Sequence, residues 1–483
     1  MNRELKRISA LVVVMFAALF VASSVIQVFQ TQNLESDARN QRARADQYAI
    51  QRGQILVSDG TAIVTSPKSD DSFQFDRDYK QGKLYAAVTG YYNPIGSPTG
   101  IEGALNSQLA GTASDRVLDR LQGIVTGAKP KGASVQLTID PKVQKAAYDA
   151  LGDQRGAVVA LDPRTGAVLA MVSKPSYDPN AIADHSSGVQ AYEKLNAEST
   201  KPLINRAIDS LNPPGSTFKI VTSSAALESG RYTPDSQFPS PRSYTLPGTS
   251  TVIQNAVGEA CGTGAKASIF TALKLSCNIP FAQLGIKLGD DALRTQAEKF
   301  GFGQQLSIPL KVTPSVYPAG PLDASQTAQT AFGQYDDKAT PLQIAMLSAA
   351  IADGGRLMKP NLVQKVLSPS LAPSSQFSPE QLGTPVSEKT AQQVTAMMKA
   401  SVDSGAATNA RIEGVEVAGK TGTAQNGTGD PYTLWFTGFA PVSDPQVAVA
   451  VVVENGGGLG QSGFGNLVAA PIGRQVMEAV LNR

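Results

Sequence analysis

Between Ile8 and Phe29 the chain reads ISALVVVMFAALFVASSVIQVF, with no charged side chain and with Gln27 as its one strongly polar residue. In lipid, a helix is the form in which such a stretch satisfies its own backbone. At about 1.5 Å per residue it reaches roughly 33 Å, enough for a bilayer core. Arg3, Lys6 and Arg7 precede it and favour a cytoplasmic N-terminus. The alternative is a cleaved signal peptide, with Val21-Ala22-Ser23 as its candidate cleavage site. Signal-peptide cores run about 7–15 residues, and this run continues past the small residues, so an uncleaved anchor is the stronger reading. No second run of this kind follows. The rest of the chain is therefore expected outside the plasma membrane, on the far side from the cytoplasm.

That location bears on the cysteines. The chain has two, Cys261 and Cys277, both in the exported part. In an oxidising compartment they form a disulfide or stay as two buried thiols. Together with His185, the only histidine, they do not make a zinc site, and no metal or cofactor is expected. A formal net charge of +2 without a long basic run gives no reason to expect nucleic acid.

The 483 residues divide by pattern. Residues 1–7 form a cytoplasmic tail, 8–29 the anchor and 30–51 a polar stalk. Residues 52–150 form a small α+β module, and 151–483 form the main domain. Ala133 to Ile139 alternates like a strand, and Asp140-Pro141 then opens a helix, with Asp at the cap and Pro in the first turn. Gly156–Leu161 and Ala167–Val172 flank the turn Asp162-Pro163-Arg164-Thr165-Gly166 and read as a hairpin. A helix-rich stretch follows, including Gln326–Ala331 and Pro341–Ala352. Leu367–Pro379, rich in Pro and Ser, reads as an exposed loop. Val415–Ala418, Leu434–Ala440 and Gln446–Glu454 are strand candidates, and a helix over Leu467–Leu481 closes the chain. Strands from both ends of the domain with helices from its middle make an α+β fold.

Serine hydrolases commonly use histidine as base. Here His185 lies in the polar run Asp184-His185-Ser186-Ser187-Gly188 and reads as a solvated loop residue. A serine must then find another base, and a desolvated lysine serves. Ser216-Thr217-Phe218-Lys219 follows Pro213-Pro214-Gly215. If Ser216 opens a helix, Lys219 shares its face, and the free N–H groups of the first turn favour developing negative charge. The apolar residues Ile220, Val221 and Ala225–Leu227 would keep water from the lysine. Ser-x-x-Lys alone is a cheap pattern. Two more follow it in order: Ser276-Cys277-Asn278, and Lys420-Thr421-Gly422-Thr423 after a strand pattern. Lys420 offers a cation, Thr421 and Thr423 offer hydroxyls, and Gly422 offers close backbone approach. The ordered set is the active-site signature of penicillin-binding proteins and serine β-lactamases.

The chain resembles the class B penicillin-binding proteins, those of actinobacteria most. The likeness runs from Arg52 to the end. It includes Arg52-Gly53-Gln54-Ile55 with Asp59-Gly60, Gly100-Ile101-Glu102 and Leu137-Thr138-Ile139-Asp140. It also includes Leu161–Gly166, Asn205-Arg206-Ala207 and Lys420–Gln425. Gly333-Gln334-Tyr335 departs from the Gly-Gln-Gly of many relatives. Cys277 inside Ser-x-Asn is not general in the family either, and it favours a Cys261–Cys277 bridge. The resemblance implies a serine β-lactamase/transpeptidase-like domain, an antiparallel sheet with a helical subdomain, behind an N-terminal pedestal or dimerisation-type module. It implies D,D-transpeptidation of peptidoglycan stem peptides and acylation by β-lactams. In it Ser216 is the nucleophile, Lys219 the base and Ser276 a proton relay, while Asn278 holds Lys219 and the substrate amide. The N–H groups of Ser216 and Thr423 form the oxyanion hole, and Lys420, Thr421 and Thr423 hold the substrate carboxylate. Expected partners are a polytopic glycan polymerase of the FtsW/RodA type and other division or elongation proteins.

Rival readings share the motifs. A class A β-lactamase needs a glutamate for water attack. Glu193-Lys194-Leu195-Asn196 is the nearest match, but it precedes Ser216 and its spacing is one short. A D,D-carboxypeptidase stays open. A glycosyltransferase domain has no room before the hairpin. A non-catalytic β-lactam sensor would need a cytoplasmic output domain, and only the few residues before Ile8 lie there. A scaffold with a relic site would not need every motif residue, and all are present.

Overall fold

The computed structural model describes residues 2–26, 50–71, 73–93, 96–113, 131–255 and 258–483. Helix α1, Asn2–Val25, takes in the three basic residues and most of the apolar run. An 18-residue window of its Arg3–Val25 stretch has a mean hydropathy of 2.5, and none of that window is buried against the rest of the chain. Among the described residues it is the one helix long and apolar enough to cross a membrane. The last three residues of the expected anchor and nearly all of the expected stalk lie outside the described residues.

After the gap the chain forms β1 (Ile55–Leu56), β2 (Ala62–Thr65), β3 (Asp78–Tyr79) and β4 (Ser134–Leu137). Asp59 and Gly60 make the turn between β1 and β2. The Asp59 carboxylate accepts the N–H of Thr61 at 2.8 Å, and Gly60 takes φ 88°, which glycine adopts without strain. β1 pairs antiparallel with β2 and parallel with β4. Two strands from far along the chain complete this sheet. Val363–Leu367 lies antiparallel to β4, and Pro373–Gln376 forms the edge beyond it. The segment read as an exposed loop thus contains a strand. Its side chains are all exposed, so its place came from backbone pairing at a sheet edge and left no apolar alternation to read.

A buried ion triad stiffens this module. Glu102, with no exposed surface, receives Arg52 Nη2 at 2.7 Å and Arg77 Nε at 2.5 Å. Arg52 also lies 3.7 Å over the ring of Tyr92, and Arg77 Nη1 reaches the carbonyl of Gly53 at 2.8 Å. Burial works to raise the Glu102 carboxyl, and the two guanidiniums outweigh it, so the group is held below the ordinary glutamate range. Glu102→Gln leaves two buried cations without their counter-charge. Its unfolding free energy is expected to fall by about 3–5 kcal/mol, read as an earlier urea midpoint of the full chain in detergent. An unchanged midpoint would mean that the triad contributes no stability.

The main domain is built on a five-stranded antiparallel sheet. It uses β5 (Gly156–Leu161), β6 (Val168–Lys174), β7 (Ala418–Ala424), β8 (Thr433–Ala440) and β9 (Val447–Val453), in the order β7-β8-β9-β5-β6. Every residue of β8 and β9 is buried because both faces are covered. Ala448, Ala450 and Val452 face one core, and Val447, Val449, Val451 and Val453 face the other, as the period of two requires. Helices α2 (Pro141–Leu151), α3 (Lys219–Glu228), α4 (Ile279–Leu288), α5 (Pro341–Ala352) and α6 (Gly465–Leu481) carry the rest of the argument. α5 is apolar on all sides and buried along nearly its whole length, against β5, β8 and β9. α2 and α6 cover the opposite face. Asp140 caps α2 as its sequence suggests, accepting the N–H groups of Lys142 and Val143 at 2.9 and 3.2 Å.

His185 is not a solvated loop residue. Its side chain is 10% exposed, with Nδ1 2.5 Å from Asp71 and 3.6 Å from Asp76. Its ring packs on Phe73 at 4.6 Å. The loop that carries it joins two short helices, Pro179–Ala183 and Gly188–Ala197, that clasp the N-terminal module. Asn180 exchanges two hydrogen bonds with the backbone of Tyr79, both at 2.9 Å. The partners of His185 lie more than a hundred residues away, so its local polar context pointed to solvent.

Candidate active site

The turn that carries Ser216 is held from three sides. Gly215–Phe218 is a 3-10 turn that runs straight into α3, so Ser216 stands one turn before Lys219. The indole of Trp435 on β8 donates to the carbonyl of Pro213 at 2.9 Å. The Thr217 hydroxyl turns inward onto the carbonyl of Pro214 at 2.8 Å. The N–H of Gly215 donates to the carbonyl of Gly333 at 2.9 Å. Gly333 has φ 78°, and a Cβ there would lie 1.9 Å from the carbonyl oxygen of Gly215. Tyr335, where many relatives have glycine, also sits at positive φ, 65°. That conformation costs a non-glycine residue about 1–2 kcal/mol. Its hydroxyl accepts Gln326 Nε2 at 2.9 Å, which ties the turn to the helix Ala324–Thr330.

The three motifs converge. Nζ of Lys219 lies 3.0 Å from Oγ of Ser216, 2.8 Å from the carbonyl oxygen of Ser276 and 2.8 Å from Oδ1 of Asn278. Nζ of Lys420 lies 2.7 Å from Oγ of Ser276 and 2.8 Å from the carbonyl of Thr421. Both lysines have no exposed surface. Burial pushes the Lys219 ammonium well below its ordinary range, and the neighbouring charge of Lys420 adds to that. Burial pushes Lys420 down to about 7. Ser276 takes φ 62°, which turns its hydroxyl and its carbonyl toward different lysines. Cys277 is joined to Cys261, the Cα atoms 5.8 Å apart, so the loop ending in Asn278 is tethered covalently.

Two expectations for the third motif change. It lies within strand β7 rather than after one. The strand alternation turns Gly422 inward, where a Cβ would meet the carbonyl of Pro214, Trp435 and Thr217 at 3.0–3.2 Å. A glycine there lets β7 lie close on the turn that carries Ser216. Thr421 is buried and its hydroxyl donates to the carbonyl of Ala406 at 3.1 Å, which takes it out of the free donors. Thr423 is partly exposed, and its hydroxyl oxygen accepts the N–H of Gly465 at 3.3 Å, so its own hydrogen stays free.

A groove of about 960 Å³ opens over these groups. Thr251–Asn255 and Leu275 form one wall, and Asn409, Tyr432 and Phe464–Leu467 form the other. No Asp or Glu stands among the described residues that line it. Glu193, weighed above as a water-activating base, is exposed on the clasp helix Gly188–Ala197 and is not part of the groove. Sequence reasoning missed the wall 251–255 and Trp435, since neither carries a motif, and it singled out Gly333-Gln334-Tyr335 without finding that Gly333 packs on Gly215. The cysteine pair was the one signal that the loop before Cys261 returns to Ser-x-Asn.

Residues 156–478 match the family described as the penicillin binding protein transpeptidase domain, and residues 52–135 match the penicillin binding protein A dimerisation domain. The chain belongs to the penicillin-binding protein transpeptidases. A relative from Mycolicibacterium smegmatis, the peptidoglycan D,D-transpeptidase PbpA, is 41% identical over 493 residues, covering 100% of this chain and 99% of its own length. Penicillin-binding protein A from Mycobacterium tuberculosis, solved as a ceftriaxone acyl-enzyme complex, superposes with a TM-score of 0.87 at 40% identity. That match covers 90% of this chain and 100% of the other. The D,D-transpeptidase domain of a peptidoglycan glycosyltransferase from Eggerthella lenta gives a TM-score of 0.78 at 34% identity, over 90% of this chain and 98% of its own. In a penicillin-binding transpeptidase the expected chemistry is acyl transfer through a serine, and the α+β fold with its single apolar N-terminal helix fits that class.

Proposed function

We propose that this penicillin-binding protein is a membrane-anchored peptidoglycan D,D-transpeptidase of cell-wall synthesis, acylated by β-lactams at Ser216. The observation that carries the reading is the buried Nζ of Lys219, 3.0 Å from Oγ of Ser216 in a site whose histidine is elsewhere. Neutral Lys219 takes the proton of Ser216 as Oγ bonds to the carbonyl carbon of the penultimate D-alanine. Negative charge builds on the carbonyl oxygen, which the N–H groups of Ser216 and Thr423 receive. The bond to the terminal D-alanine nitrogen breaks. That nitrogen takes its proton from the Ser276 hydroxyl, and Lys420 resupplies it from 2.7 Å. Lys420 and Thr423 hold the terminal carboxylate. Lys219 then releases its proton to solvent and Lys420 regains one from it. Neutral Lys219 deprotonates the amine of a second stem, whose nitrogen bonds to the acyl carbon as the bond to Ser216 breaks, and Ser216 leaves with the proton held by Lys219.

Water competes with that amine. With no carboxylate among the groove's described lining residues, the acyl-enzyme has no Asp or Glu among them to activate water. This favours transpeptidation over hydrolysis and a long-lived β-lactam adduct. The same reading places the N-terminus in the cytoplasm and the catalytic domain outside the plasma membrane, with residues 52–150 as pedestal and 151–483 as catalytic domain. A glycan polymerase of the FtsW/RodA type as partner rests on family resemblance.

The test is partition. The full chain in detergent is given a stem-peptide thioester with a D-amino acid acceptor. The exchanged peptide is expected to exceed the hydrolysed one and to rise with acceptor concentration. Hydrolysis unaffected by acceptor would make the protein a carboxypeptidase.

A further inference from the structure

The Ser-x-Asn turn is held from outside by a residue that belongs to no motif. Asn255 is 5% exposed. Its Oδ1 accepts the backbone N–H groups of Asn278 at 2.9 Å and Ile279 at 3.1 Å, at the start of α4. Its Nδ2 donates to the carbonyl of Glu259 at 2.9 Å, closing the loop that leads to Cys261. The residue before it supplies a second hold, because the carbonyl of Gln254 accepts Nδ2 of Asn278 at 2.9 Å. An amide whose nitrogen is committed on one side presents its oxygen on the other. That oxygen is the one 2.8 Å from Nζ of Lys219.

The orientation matters for the base. A neutral amine has two hydrogens and one lone pair. With the hydrogens given to the carbonyl of Ser276 and to Oδ1 of Asn278, the lone pair is left for the hydroxyl of Ser216. If Asn278 flipped, its NH2 would face Lys219 and compete with Ser216 for that lone pair. The disulfide does not prevent this, since it fixes Cys277 and leaves the Asn278 side chain free to rotate.

We propose that Asn255 is a positioning residue for acyl transfer: with the carbonyl of Gln254 it fixes which face Asn278 turns to Lys219, and so aims the lysine lone pair at Ser216. The inference rests on Lys219 being the base. Asn255 touches neither reacting atom and acts through Asn278.

The experiment measures acylation of the full-length protein in detergent by a fluorescent penicillin, as a function of concentration and pH, for wild type, Asn255→Ala and Asn255→Asp. The labelled fraction at completion counts competent sites, so misfolded protein is subtracted. Asn255→Ala is expected to lower the limiting acylation rate about 10- to 100-fold, with little change in the half-saturating concentration. Its acid limb is expected to move to lower pH, because an N–H turned toward Lys219 disfavours the ammonium. Asn255→Asp keeps the two acceptor contacts and is expected to recover most of the rate. Its added negative charge moves the acid limb the other way. An unchanged limiting rate in Asn255→Ala overturns the proposal. So does a loss accounted for wholly by fewer competent sites with the acid limb in place, which would make Asn255 a loop brace. Wild-type protein that is not acylated would instead remove the functional reading beneath it.

Discussion

Ser216→Ala is expected to give no covalent adduct with a fluorescent penicillin at any concentration or time at which wild type labels fully. The reason is that, among the described residues, the Ser216 hydroxyl is the one that Nζ of Lys219 contacts. Thr217 has no exposed surface and its hydroxyl is committed to the carbonyl of Pro214. The Ser276 oxygen accepts from Lys420 at 2.7 Å, and Lys219 meets the Ser276 carbonyl rather than its hydroxyl, so no base stands ready for it. Ser216 is buried and hydrogen-bonded to Lys219, so the substitution removes one buried hydrogen bond and is expected to change stability by about 0.5–1.5 kcal/mol. Complete loss of label in protein that still unfolds cooperatively therefore reports chemistry. An adduct forming at the wild-type rate would place the nucleophile elsewhere.

Lys219→Met is expected to lower the second-order acylation constant by about 10²–10⁴, the range for a positioned general base. Methionine keeps the apolar stem and removes the nitrogen. The pH profile separates this from a packing effect. In wild type the constant rises with pH as Lys219, held far below its ordinary range by burial and by Lys420, gives up its proton. It falls again as Lys420, pushed down to about 7, loses the charge that holds the substrate carboxylate. The curve for the free enzyme is therefore bell-shaped. In Lys219→Met the rising limb is expected to vanish while the falling limb stays. A variant that keeps the rising limb would show that another group is the base.

The two lysines also show why such a site is set up by folding. A lysine on a surface helix has no reason to lose its proton at neutral pH. The Lys219 ammonium is pushed well below its ordinary range because it is buried, and because β7 brings a second cation, Lys420, from far downstream. The cost of burying these charges is offset by three short contacts at Lys219 and two at Lys420.

Much of this was open to reading from local signals. The uncharged run after Arg7, the Asp-Pro start of α2, the hairpin around Asp162–Gly166 and the largely apolar α5 each declare themselves within one short stretch of chain. The three motifs, their order and the cysteine pair were equally plain, because chemistry restricts which side chains can stand there. Long-range pairing was not. Nothing in PSSQ announces a strand, yet Pro373–Gln376 completes a sheet begun at Ile55. The polar surroundings of His185 pointed to water, and the clasp with Asp71 and Asp76 comes from the other module. Gly422 was read for its freedom, and the pleat also packs it closely on the turn that carries Ser216.

What the sequence by itself determined is the inventory: an N-terminal run long and apolar enough to cross a membrane, an α+β fold, and a serine, two lysines and an amide in the order of the penicillin-binding motifs, with the one histidine apart from them. Only the tertiary structure decided which way each of them points. Orientation depends on partners distant in sequence, such as Asn255 and Gln254 for Asn278, Ala406 for Thr421 and Trp435 for the Pro213 turn. Side-chain chemistry is a local property of the chain. A hydrogen bond's direction is set by both of its ends, and folding brings the second one.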